Sequence, residues 1–197
     1  MSTRTSRTAV LACGALALHV KAIAARNGLE LDVHPLPPEL HNRPERIAPA
    51  LEALAQQLEG RYDRIVIGYA DCGSRGAVDE LCERLGAERL PGETCYDLFA
   101  GTAAIAQIRD EEPGTFFLTD FLVKTFDHLV WRGLGLDRHP DLRDTYFGNY
   151  RRVIWLAQEP TARLRAEAEA AAAKLGLELE VRETGDAGLA RVLSVRA

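Results

Sequence analysis

The sequence predicts an α/β protein: a Rossmann-like parallel sheet of βα units, arranged as two similar lobes around a cleft. Short apolar or β-branched runs alternate along the chain with stretches of helical periodicity. An internal echo supports similar halves: NGLELDV at 27–33 resembles LGLELEV at 175–181, each after a helix that itself follows an apolar strand. The plain alternative is that a glycine followed by alternating leucines is how any helix hands over to a strand. The 197 residues suit one domain over 1–197, with possible lobes 1–112 and 113–197.

The elements are read in order. Thr8–Ala12 (TAVLA) is a strand, and Gly14–Asn27 a helix closed by Gly28. Leu29–Val33 is a second strand, followed by a proline-rich loop over His34–Pro44. Glu45–Glu59 is helical, with Ile47, Leu51, Leu54 and Leu58 on one face. Arg64–Tyr69 (RIVIGY) is the clearest buried strand. Ala77–Leu85 is a helix, Glu88–Leu90 a short strand and Tyr96–Asp110 a helix. Thr115–Thr119 (TFFLT) is a strand leading to a helix over Phe121–Trp131. Arg152–Ala157 (RVIWLA) is a strand, Thr161–Leu175 a surface helix, and Leu177–Val181 its following strand.

Composition narrows the function classes. Hydrophobic residues make up 47% and charged residues 27%, ordinary for a globular chain. The net charge of −5 argues against binding a nucleic-acid backbone. The apolar stretch Thr8–Val20 follows two arginines and loosely mimics a signal peptide. It is too short to span a bilayer and is read as strand plus helix. With no membrane segment and too few cysteines for a disulfide framework, the expected location is cytoplasmic.

The cysteines carry the most chemistry. Open α/β sheets bind ligands outside the carboxyl ends of their strands. Cys13 follows the first strand, Cys72 follows the third in YADCGSRG, and Cys95 opens a helix after a short strand. A parallel sheet therefore sets all three on one edge. Cys82 lies inside a helix on the face of Val78, Leu81 and Leu85, and is read as a core thiol. Three convergent thiolates would suit a metal. A cysteine nucleophile, or three small residues at crowded turns, are the alternatives. His41, in the loop after the second strand, is the candidate fourth ligand, with His34 competing.

Other polar groups cluster at strand ends. Asp120 closes TFFLT, either as a proton-transfer group or as the N-cap of the next helix. His139 and Tyr146 lie in a polar, aromatic connection and could line a pocket. The N–H groups of the turn around Gly73, with Arg75, could hold an anion. No Walker A, GxGxxG, GxSxG or HExxH motif is present.

Together ACGAL, LPPELHNRPE, GYADCG, CYDLFAG, GTFFLTDFL, GLDRHPDL and YFGNYRRV resemble the family catalogued as domain of unknown function 1638, from about Val10 to Leu177. That family carries no established activity. The resemblance implies a setting near corrinoid-dependent, methylamine-type methyltransferases, hence methylated-amine or one-carbon metabolism. Quinolinate synthase, whose α/β units each offer a strand-end cysteine to one cluster, is a precedent for the geometry.

The expectation is thus a metal-dependent small-molecule enzyme, a transferase or hydrolase. Cys13, Cys72 and Cys95 are its metal ligands and His41 a fourth. Zinc is the expected metal, with a three-cysteine [4Fe–4S] cluster as the alternative. Asp120, His139 and Tyr146 are the expected catalytic groups, and Gly73 and Arg75 the cofactor-binding ones. The expected partners are a small-molecule substrate and a corrinoid methyltransferase system, with no nucleic acid and no membrane. The alternatives are a metal- or corrinoid-binding accessory or carrier protein, and a metal-free cysteine hydrolase.

Overall fold

The computed structural model describes residues 7–196, so the basic start of the chain, Met1–Ser6, lies outside the described residues. The chain divides into two compact units. One holds the described residues up to Leu98 together with the chain from Gly188 onward, and the other is Phe99–Ala187. The boundary expected near residue 112 lies inside the second unit.

In the first unit, β1 (Thr8–Cys13), β2 (Leu31–Leu36), β3 (Arg64–Gly68) and β4 (Glu88–Arg89) form a parallel sheet in the order β2-β1-β3-β4. Every residue of β1 is buried, as a central strand covered on both faces requires. Gly68 permits the close pairing of β3 with β1, because a Cβ there would stand 2.7 Å from the Ala12 Cα. The connections are α1 (Gly14–Asn27), α2 (Ile47–Gln57) and α3 (Ala77–Leu85). From β1 the chain moves to one side to form β2, then crosses to the other side to form β3. The strand order therefore reverses between β1 and β3, which is where open α/β sheets take their ligands.

In the second unit, β5 (Thr115–Thr119), β6 (Arg152–Ala157) and β7 (Glu178–Glu183) form a parallel sheet in sequential order. Its helices include α6 (Asp120–Lys124), α7 (Leu142–Phe147) and α8 (Ala162–Leu175). Thr161 caps α8 by accepting a 3.2 Å bond from the Leu164 N–H. The echo at 27–33 and 175–181 marks the same device twice: Gly28 and Gly176 close α1 and α8 in the left-handed conformation and deliver β2 and β7.

Several boundaries differ from the sequence reading. β2 begins and ends later than expected and runs through Pro35, which an edge strand tolerates because one side needs no donor. The helix expected over Tyr96–Asp110 is two, α4 (Cys95–Ala100) and α5 (Thr102–Glu111), broken where Gly101 takes φ +87°. The helix expected over Phe121–Trp131 ends at Lys124 and resumes as a π-turn over Asp127–Arg132. At the break, the Thr125 hydroxyl donates to the Phe121 carbonyl at 2.7 Å and competes for the helical ladder. The terminal helix α9 (Ala187–Arg196) has no counterpart in the sequence reading; Leu189 and Leu193, one turn apart, are both buried. Among the described residues no helix is long and apolar enough to cross a membrane.

Candidate functional site

Four loops meet at the carboxyl edge of the first sheet, and the sequence dictates the shape of each. Cys13 ends β1 and stands at the N-cap of α1. Its neighbour must be glycine: a Cβ on Gly14 would lie 2.7 Å from the Leu36 carbonyl and 3.0 Å from Pro38 Cδ. The chain after β2 makes two 3-10 turns, Pro38–Asn42 and Pro44–Arg46. The second brings Pro44 against Gly73 of the loop after β3.

That loop is wound around Asp71. One Asp71 oxygen accepts from the Gly73 and Arg75 N–H groups at 3.1 and 3.3 Å; the other accepts from the Gly76 N–H and the Ser74 hydroxyl at 3.0 and 2.8 Å. Burial pushes the Asp71 pKa up, but the four donors outweigh it and the net shift is downward. Two N–H groups of the turn expected to hold an anion with Arg75, those of Gly73 and Arg75 itself, are therefore committed to an internal carboxylate. The winding also forces Cys72 to φ +50° and Arg75 to φ +56°, a region costly for residues with a Cβ.

The loop after β4 is built the same way. Asp97 accepts from the N–H groups of Glu93 and Thr94 at 3.0 and 2.7 Å. Arg89 grips Asp79 with two nitrogens, at 2.6 and 3.0 Å, and donates to the Leu90 and Gly92 carbonyls. Backbone bonds join the two loops: the Cys72 N–H donates to the Glu93 carbonyl at 2.7 Å, and the Asp71 N–H to Gly92 at 3.3 Å.

This construction brings Cys13, Cys72 and Cys95 into one neighbourhood. Burial raises the Cys13 pKa, offset in part by the Ala15 N–H, the Tyr69 hydroxyl and the Leu16 N–H. Burial, then the proximity of Cys13, pushes the Cys72 thiol up to about 12. Burial, then Cys72 and Cys13, raises the Cys95 thiol well above its ordinary value. Cys82 responds instead to burial, Asp79 and Arg89. All four cysteines are free thiols. Among the described residues no group of three or more His, Cys, Asp and Glu side chains is placed, as it stands, to hold a metal ion.

Tyr69, which the sequence reading takes only as the last residue of a strand, belongs to this neighbourhood. It is 2% exposed, and its hydroxyl closes no hydrogen bond of good geometry. Burial, then the Cys13 and Cys72 thiols beside it, raise its pKa. A lone tyrosine ending an otherwise apolar strand, at the same edge as the cysteines, is the signal that could have found it. His41 has solvent access, yet desolvation by the chain crowding it holds its imidazole below the ordinary pKa. His34 bonds Tyr62 at 2.9 Å.

The other expected residues lie in the second unit. Asp120 is 2% exposed, and both of its oxygens are occupied. One accepts from Trp155 Nε1 at 2.9 Å and the Gln158 N–H at 3.1 Å, the other from the Glu159 N–H at 2.8 Å. The capping role belongs not to Asp120 but to Thr119, whose hydroxyl accepts from the Leu122 N–H at 3.3 Å. Tyr146 is exposed on α7, next to Phe147, which packs against Phe116 near the start of β5. It thus stands toward the amino end of a strand whose carboxyl end carries Asp120. His139 is exposed in the turn before α7. The structure does not assemble these three into one constellation.

Fold and site together define an α/β protein of two parallel sheets, with Cys13, Cys72 and Cys95 as neighbours at the carboxyl edge of the first. The chain belongs to the family described as "Protein of unknown function (DUF1638)", whose sequence model matches residues 35–193. The match includes His41, Cys72 and Cys95 and begins after Cys13. Comparison with curated proteins and with solved structures finds no match.

Proposed function

We propose that Cys13, Cys72 and Cys95 are the protein ligands of a metal centre serving small-molecule chemistry. The single observation that carries this is that Cys13 and Cys95, both buried, and the half-buried Cys72 are neighbours at the carboxyl edge of a sheet whose strand order reverses between β1 and β3. The donor set is that of a thiophilic metal, and the buried Tyr69 hydroxyl beside Cys13 closes no bond of good geometry. The raised pKa values weigh against a metal-free cysteine hydrolase, whose nucleophile must ionise readily. Cys13, Cys72 and Cys95 would each give up a thiol proton to hold the metal.

Zinc would take three thiolates with either His41 or an exchangeable ligand in the fourth position, and when bound it supplies Lewis acidity. The chain's own part is to fix the sulfurs on short, internally bonded loops; Leu36, Ala70 and Leu90, at or just after the ends of β2, β3 and β4, are buried. A [4Fe–4S] cluster is the second reading. Three cysteines would hold three of its irons and leave the fourth open to substrate. The methylated-amine setting rests on the family resemblance alone.

The test is elemental analysis with a visible spectrum of anaerobically purified protein. The expected result is roughly one zinc, or about four iron with a broad absorption near 400 nm, per chain. A chain that carries no metal, and takes up neither zinc nor ferrous iron with sulfide, refutes the proposal.

A further inference from the structure

We propose that Tyr69 donates its phenolic hydrogen to the Cys13 thiolate in the loaded centre, as a positioning residue. The inference rests on the metal reading above. Gly68 pairs with Ala12 at the end of the β1–β3 register, so Cys13, the last residue of β1, and Tyr69, the residue after β3, each follow that paired position, and the two side chains are neighbours. Neighbouring strands lie about 4.8 Å apart, which keeps the ring of Tyr69 close to the sulfur.

The Tyr69 hydroxyl is within reach of the Cys13 thiol yet closes no bond of good geometry; a poorly satisfied buried hydroxyl is unfavourable, and a phenylalanine would fill the same space without that cost. The tyrosine therefore makes physical sense if a partner arrives. A neutral thiol is a weak acceptor, whereas a thiolate is a strong, charged one. Metal binding performs that conversion at Cys13. The Ala15 and Leu16 N–H groups already face the same sulfur from the start of α1, so Tyr69 completes a set of three donors around one ligand atom. Such outer partners orient a metal ligand and tune its basicity.

The experiment compares wild type with Tyr69→Phe. Zinc affinity is read by competition with a chromophoric chelator, and the sulfur-to-metal charge-transfer band is read with cobalt(II). Tyr69→Phe is expected to bind the same number of zinc ions about 10-fold or more weakly, with a shifted cobalt band. The metal-free variant is expected to melt at the wild-type temperature or above, because it loses an unpartnered hydroxyl. If the wild-type chain instead takes an iron–sulfur cluster, the variant's reduction potential is expected to fall, through loss of a hydrogen bond to sulfur. Unchanged affinity and an unchanged band, or an unchanged potential for a cluster, overturn the proposal and leave the metal reading standing. A metal-free variant that is less stable, or fails to fold, overturns it too, because the hydroxyl would then serve the fold alone. A wild-type chain that takes up no metal overturns both.

Discussion

Replacing Asp120 with asparagine tests whether this carboxylate braces the second unit. The side chain is buried and every one of its partners is an N–H donor: Trp155 Nε1 and Gln158 on one oxygen, Glu159 on the other. An asparagine oxygen can keep the first two. Its amide nitrogen then faces the Glu159 N–H, donor against donor. Leaving one partly buried donor unsatisfied costs about 1–3 kcal/mol. In a chain of this size each kcal/mol lowers the melting temperature by roughly 2–4 °C, so about 2–12 °C is expected. Asp120→Ala strands all three donors and is expected to cost about 3–5 kcal/mol. Trp131 and Trp155 both lie in this unit, so urea unfolding followed by tryptophan fluorescence reports on it directly. Circular dichroism gives the companion curve for the whole chain. An asparagine variant within about 0.5 kcal/mol of wild type would refute the bracing role and return Asp120 to the proton-transfer reading.

Three further outcomes follow from the first unit. Cys72→Ala is expected to lower the metal-to-protein ratio several-fold, while Cys82→Ala leaves it unchanged; equal ratios in the two variants would remove Cys72 from the site. Asp71→Ala removes the acceptor of four donors and the reason for the left-handed backbone at Cys72. It is expected to cost about 1–2 kcal/mol in chemical denaturation and to weaken metal binding; full metal binding would show that the loop need not be held. Gly14→Ala drives a Cβ against the Leu36 carbonyl at 2.7 Å, and a loss of about 1–3 kcal/mol by thermal melting is expected; wild-type stability would show that the two loops can part freely.

Much of the fold is legible in the sequence because parallel strands buried on both faces read as continuous apolar runs. TAVLA, RIVIG, TFFLT and RVIWLA all became strands for that reason. Two helices broke at residues periodicity does not reveal: one where Gly101 takes a positive φ, the other at Thr125, whose hydroxyl and N–H share the Phe121 carbonyl. β2 extends past the proline that the sequence reading takes as the start of a loop, since edge position cannot be read without the strand order. The placement of the three cysteines followed from one rule about strand ends. The partners of Asp120 did not, because its donors lie 35 or more positions away, on and just after a neighbouring strand.

The two sheets put similar sequence signals to different uses. In both, an acidic residue closes or closely follows a strand, and in both it accepts N–H groups within the protein: Asp71 from its own loop, Asp120 from the chain after β6. In the second unit Asp120 and Gln158 also bond reciprocally, the Asp120 N–H donating to Gln158 Oε1 at 2.9 Å and the Gln158 N–H returning to the carboxylate. That exchange ties the carboxyl ends of β5 and β6, adjacent strands in a sheet of sequential order, to each other. The corresponding ends of β1 and β3 cannot be tied so simply, because their chains leave in opposite directions at the switch point. What stands there instead is Cys13, Tyr69 and Cys72: two thiols that burial keeps protonated and a hydroxyl that closes no bond. The Tyr69 hydroxyl is left without a bond of good geometry at the edge whose strand order reverses, whereas the Asp120 carboxylate is fully bonded at the edge whose order does not. That contrast is the physical reason to look for a ligand in the first unit.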